Sequence, residues 1–201
     1  MIKNSKSLSK PFELQKKIIS YLAEKPAQTI VQIQIGVKSN YHSAISRAIG
    51  ELFEANLVKP ISETTPLRGP NVKLWGLTFW GVFKSFEENI DTVKTFLNYE
   101  AYYTDLKWLR VCFQILEEEI GDKWVENRVK LLKNLSGLGD KLAELDVTDK
   151  SIIIRTWTGY TQGFLESIHM PPARMRRFSN RMMQVLSAKT EADLLELLKK
   201  N

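Results

Sequence analysis

Cysteine occurs once in the 201 residues, at Cys112, and histidine only twice, at His42 and His169. A lone thiol cannot close an internal disulfide, which excludes a secreted scaffold held by cross-links. One cysteine and two histidines also supply too few ligands for a Cys/His zinc centre, so no metal is expected. Long apolar runs are missing as well. The longest nearly unbroken one, Leu74 to Phe83, is too short to span a bilayer, and the basic N-terminal segment MIKNSKSLSKPFELQ has no apolar core of signal-peptide length. The expectation is a cytoplasmic protein without membrane association. Ser136 to Lys141 contains Gly137 and Gly139 but matches no phosphate-binding loop and follows no recognisable strand, so no nucleotide or other cofactor is assigned. No catalytic triad, carboxylate pair or metal set stands out, and an enzyme is the weakest reading.

What is present is globular. A composition 43% hydrophobic and 10% aromatic excludes disorder as the main state, and the length allows one large core or two modest ones. The formal charge of +6 is unevenly spread. Residues 1–84 hold 12 Lys+Arg against 5 Asp+Glu, a net of +7, whereas residues 85–201 hold 17 against 18, a net of −1. Clustered positive charge gains Coulomb energy and counterion release at a phosphate backbone, although ordinary surface solvation explains such a count equally well.

The spacing of Phe12, Leu14, Ile18, Ile19, Tyr21 and Leu22 predicts an amphipathic helix over Pro11 to Lys25, ended by Pro26. Thr29 is placed to cap a short second helix in which Ile30, Ile33 and Val37 face inward and Gln32 and Gln34 outward. Lys38-Ser39-Asn40 reads as a turn, with Ser39 or Asn40 as the cap of a third helix over Tyr41 to Ala55. That helix buries Ile45, Ile49, Leu52 and Phe53. Its other face carries Tyr41, His42, Ser43, Ser46, Arg47 and Gly50, short or hydrogen-bonding groups rather than the long Glu/Lys mixture of a merely solvated face. Asn56 stands where a helix end wants a left-handed residue. The period then changes: Leu57 to Ile61 and Val72 to Leu77 read as two strands joined by a polar segment, before Thr78 caps another helix.

Three helices, a two-stranded hairpin and a further helix follow the order of a winged helix-turn-helix. The stretch Ile49-Gly50-Glu51-Leu52-Phe53-Glu54-Ala55-Asn56-Leu57-Val58 resembles the end of that family's recognition helix running into the first wing strand, with Asn56 where the family usually has glycine. Lys73-Leu74-Trp75-Gly76-Leu77-Thr78-Phe79-Trp80-Gly81 is similar to its aromatic-x-Leu-Thr-x-x-Gly pattern. The resemblance covers about residues 10–86 and implies double-stranded DNA as partner. It implies a recognition helix in which Arg47 pairs with guanine, Asn40 meets adenine unless it is spent as the cap, and Tyr41, His42, Ser43 and Ser46 contact bases or backbone. On the wing it implies Arg68 at a minor groove, with Lys59 and Lys73 near flanking phosphates. Arg47 also stands one helical turn before Glu51, and that ion pair can coexist with DNA contact.

From Ser85 onward glycine and proline are sparse. Helices are expected over Glu87 to Tyr99, Tyr102 to Ile120, Lys123 to Leu145, Ile152 to Ile168, Ala173 to Leu186 and Glu191 to Lys199. In the fifth of these Met175, Phe178, Met182 and Val185 form an apolar stripe beside a basic one of Arg174, Arg177 and Arg181. The basic stripe is either a second nucleic-acid contact or a set of arginines reaching Glu117 to Glu119. The chain is thus expected to be mostly α with a small β-hairpin wing. Residues 1–86 form a winged helix-turn-helix DNA-binding domain and 87–201 an all-α domain for dimerisation or interaction. The function expected is sequence-specific transcriptional regulation as a homodimer through the C-terminal helices. The alternative is a winged-helix interaction or scaffold subunit of a larger nucleic-acid-associated assembly.

Overall fold

The computed structural model describes residues 13–65, 70–88, 91–103, 105–144 and 150–199, with side-chain surroundings given for these except 125, 138–144, 150–151 and 198–199. The protein is mostly helical, with a small two-stranded antiparallel hairpin, and divides into two compact units, Met1–Ile90 and Asp91–Asn201. Among the described residues no helix is long and apolar enough to cross a membrane.

In the first unit, α1 (Glu13–Glu24) is the central element, touching α2 (Ile30–Gly36), α3 (His42–Glu54), α4 (Phe79–Ser85) and the hairpin strand β2 (Val72–Leu77). Its apolar spacing buries Ile18, Ile19, Leu22 and Ala23. The position of α2 is fixed at its start. The Thr29 hydroxyl accepts from the Gln32 amide at 3.1 Å while the Gln32 side chain accepts from the Thr29 amide at 2.8 Å. Such a reciprocal cap satisfies two otherwise orphaned donors and contributes about 1 kcal/mol. The end of α2 lies so close to α1 that a Cβ on Gly36 would enter the Tyr21 ring.

Strand β1 (Val58–Thr64) pairs with β2 around a bulge between Pro60 and Ser62. Proline within the ladder costs nothing here, because its partner Trp75 turns both backbone groups the other way. The Trp75 amide donates to the Gln28 carbonyl at 2.8 Å and its carbonyl accepts from the Gln28 amide at 2.9 Å. At the base of the hairpin, Asn56 adopts φ 56°, the left-handed conformation its position calls for. The Thr78 hydroxyl then donates to the Asn56 carbonyl at 2.6 Å and accepts from the Gly81 amide at 2.9 Å. Gly81 packs against the Leu57 carbonyl, leaving no room for a Cβ.

In the second unit, α6 (Leu106–Ile120) is buried around most of its circumference, ten of its fifteen residues being buried, which makes it the centre rather than a surface helix with a single stripe. It is touched by α5 (Thr92–Tyr99), α8 (Lys150–Ser167), α9 (Pro172–Ser187) and α10 (Glu191–Lys199), while α7 (Trp124–Glu144) packs on α8. Cys112 is buried within α6, and burial pushes its thiol well above the ordinary range.

Several local expectations change. Phe53 is half exposed, its ring edge-on to Trp75 at 5.9 Å, because the core side of α3 is filled by Ile45, Ala48, Ile49 and Leu52. The helix expected over Glu87 to Tyr99 is interrupted by a tight turn at Phe86–Glu88 before Asp91 caps α5. The spacing over Lys123 to Leu145 predicts an apolar stripe of Trp124, Val125, Val129, Leu132 and Leu135; Leu132 and Leu135 are buried as expected, joined by Leu131, whereas Val129 is exposed. Asn56→Gly removes the left-handed penalty of a side chain and is expected to stabilise the chain by about 0.5–1 kcal/mol. A thermal melt checks this, and a lower midpoint would contradict the assignment.

Candidate nucleic-acid interface

Helix α3 presents the outward residues singled out in the sequence. Asn40, His42, Ser43, Arg47 and Gly50 are exposed, Ser46 is half-buried and Tyr41 is 72% exposed. Neither Ser39 nor Asn40 caps α3; the capping position is Tyr41, whose side chain makes no cap bond. Ser39 instead accepts from the Tyr41 amide through its hydroxyl at 3.3 Å. Asn40 is therefore not spent as a cap. Lys38 turns the chain between α2 and α3 with φ 55°.

Gln34 is the residue that the sequence reading misplaced. Rather than facing solvent it is half-buried at the end of α2, where its side-chain nitrogen donates to the Ser39 carbonyl at 3.2 Å and its oxygen lies 3.1 Å from His42 Nδ1. Nothing in a helical period marks such a residue, because its partners lie across the turn. Gln32 was expected only to face outward, and its part in the cap was missed although Thr followed three positions on by Gln is a capping-box pattern.

Arg47 is 81% exposed, with its Nε 3.8 Å from Glu51. The Glu51 carboxylate also accepts from Gln15 Nε2 at 2.6 Å, so it is shared. An exposed pair at that distance contributes only about 0.3–0.5 kcal/mol, which leaves the guanidinium available to a stronger anion. Gly50 has open space where a Cβ would stand, so nothing in the fold requires glycine on this face.

The hairpin lysines are not gathered together. Lys59 pairs with Gly76 and Lys73 with Glu63. Gly76 and Lys73 are three apart on one strand, so Lys59 and Lys73 stand on opposite faces of the hairpin. Lys73 shares the face of Trp75, whose ring meets Phe53 of α3. Arg68 lies outside the described residues. The unit boundary at Ile90 also redistributes the charge. Glu87 and Glu88 join the first unit, leaving it with a net of +5 and the second with +1.

The arginines of α9 are engaged with acidic groups. Glu119 of α6 is only 2% exposed, and Arg177 Nε donates to both of its oxygens at 2.8 Å. Arg181 reaches Glu118 at 2.7 Å, Glu119 at 3.3 Å and the Leu197 carbonyl of α10 at 3.3 Å. Arg174 reaches the Glu119 carbonyl at 3.4 Å. The stripe thereby ties α6, α9 and α10 together. Nearby, partial burial raises the Glu117 carboxyl above its ordinary range, opposed by Arg128 and reinforced by Asp91 and Glu118.

Among the described residues no group of three His, Cys, Asp or Glu side chains converges to hold a metal ion. Comparison with protein-family models, curated proteins and solved structures finds no match to this chain. Glu119→Gln is expected to destabilise the protein by about 1–3 kcal/mol, since Arg181 keeps Glu118 and the largely exposed Arg177 can turn to solvent. Denaturant titration reads this directly, and an unchanged midpoint would remove Glu119 from the account of how α9 is held.

Proposed function

We propose that the chain is a sequence-specific double-stranded DNA-binding transcriptional regulator, with a winged helix-turn-helix in its first unit and a helical dimerisation domain in its second. One observation carries this reading: the open face of α3 bears an available arginine among groups short enough to enter a major groove. A helix that served only solubility would do better with Glu and Lys at Ser43, Ser46 and Gly50. Glycine inside a helix costs about 1 kcal/mol relative to alanine, and an approaching partner gives Gly50 a purpose that the fold does not. The net of +5 on the first unit favours an anionic partner. In this reading the chain is not an enzyme and needs no cofactor.

Binding of the full chain to random and selected duplexes across a salt series tests the proposal. Submicromolar binding that weakens steeply with salt is expected, and no binding at low salt would overturn it. Arg47→Ala is expected to relax base preference at one position by about 1–3 kcal/mol, whereas Lys73→Ala weakens all duplexes alike.

Dimerisation follows from the small number of base pairs one recognition helix can read. Exposed Leu97, Ile152 and Met183 in the second unit offer apolar material for it. Sedimentation is expected to give a dimer on DNA; a strict monomer with and without DNA contradicts this part. The interaction-module reading is favoured by Val31, Ile35 and Tyr41, exposed apolar groups in and after α2, Ile35 being 71% exposed. It gains if DNA binding is absent.

A further inference from the structure

Gln34 closes the turn between α2 and α3 from both its backbone and its side chain. Its carbonyl accepts from the Ser39 amide at 3.0 Å, and its side-chain nitrogen donates back to the Ser39 carbonyl at 3.2 Å. Chemistry fixes the orientation of this amide. A backbone carbonyl only accepts, so the group turned toward Ser39 is the NH2 and the group turned toward His42 is the oxygen. That oxygen has no proton to give, and His42 Nδ1 lies 3.1 Å from it. Nδ1 must therefore carry the proton, because the other neutral tautomer would set two lone pairs against each other.

The consequence appears across the ring. With the proton held on Nδ1, the neutral imidazole keeps a lone pair on Nε2. His42 is the first residue of α3 and is exposed, and Nε2 has no hydrogen-bond partner among the described residues. In the neutral ring the foremost polar group of the helix is thus an acceptor rather than a donor. Phosphate oxygens, guanine O6 and N7 and thymine O4 are all acceptors and cannot bond to it. The donors exposed in a major groove are the exocyclic amino groups of cytosine and adenine.

We propose that His42 is a specificity-determining residue whose Nε2, held as an acceptor by Gln34, recognises the exocyclic amino group of a cytosine or adenine. This rests on the reading of α3 as a DNA-recognition helix. It assigns His42 the opposite chemistry to Arg47, which offers only donors.

Two measurements on the full chain test it. Long-range nitrogen–proton correlation of labelled histidine in free protein, at about pH 8 and so above the ordinary imidazole range, is expected to show His42 in the Nδ1–H form. The Nε2–H form would overturn the proposal. Duplex selection is then compared among the parent, His42→Asn and His42→Gln. Asparagine keeps a polar group where Nδ1 meets Gln34 but offers nothing at the reach of Nε2; glutamine keeps an acceptor near that reach. His42→Asn is expected to lose about fivefold in preference for cytosine or adenine at one position while binding random duplex like the parent. His42→Gln should retain the preference. The base enriched by the parent distinguishes cytosine from adenine. If the parent binds duplexes selectively and His42→Asn, folded by thermal melt, keeps the full preference, the proposal fails while the DNA-binding reading stands. If the parent binds no duplex, both fall.

Discussion

The Thr78 hydroxyl locks the hairpin base between α3 and α4, because it serves two segments far apart in sequence with one proton and one lone pair. It donates to the carbonyl of Asn56 and accepts from the amide of Gly81. The end of α3, the base of the hairpin and the start of α4 thus meet at one oxygen. The backbone reinforces it, with the Thr78 amide donating to the Leu57 carbonyl at 3.0 Å and the Leu57 amide to the Leu52 carbonyl at 2.9 Å. Gly81 follows from this geometry, since any side chain there would displace the Leu57 carbonyl. The direction in which α3 leaves the core, and so the face it offers, is set at this junction and at the Gln34 turn.

The second unit uses charge differently. Its arginines look in the sequence like a basic surface, but Glu118 and Glu119 take up Arg177 and Arg181, and Arg174 meets the carbonyl end of α6. A buried carboxylate is costly unless paired, and here the pairing orients α9 against α6. At α10 a second reciprocal cap recurs: Asp193 accepts from the Thr190 amide at 2.9 Å, and these bonds hold its carboxyl below the ordinary range. The arginine stripe of α9 therefore works inside this unit. In the first unit Arg47 stands outward on a weak, shared pair.

Much of the local structure was legible because its causes are local. Thr29, Asn56 and Thr78 are each recognised from residue type and neighbours, since caps and left-handed positions depend on a few adjacent dihedrals. Spacing identified the buried faces of α1 and α3 but misjudged Phe53 and Val129, whose burial is decided by elements distant in sequence. Gln34 was read as an outward polar residue, because a partner across a turn leaves no periodic trace. Lys59 and Lys73 look equivalent as wing lysines until the ladder register separates them. For the candidate site, residue types on α3 were readable; which of its groups donates and which accepts depends on hydrogen bonds that no spacing encodes.

The central claim is that the open face of α3 meets the double helix. Amide hydrogen exchange of the full chain, with and without a selected duplex at low salt, tests it most directly. Added protection is expected over residues 34–50, with little change in the buried interior of α6. No change in α3, or protection confined to residues 150–199, would contradict it.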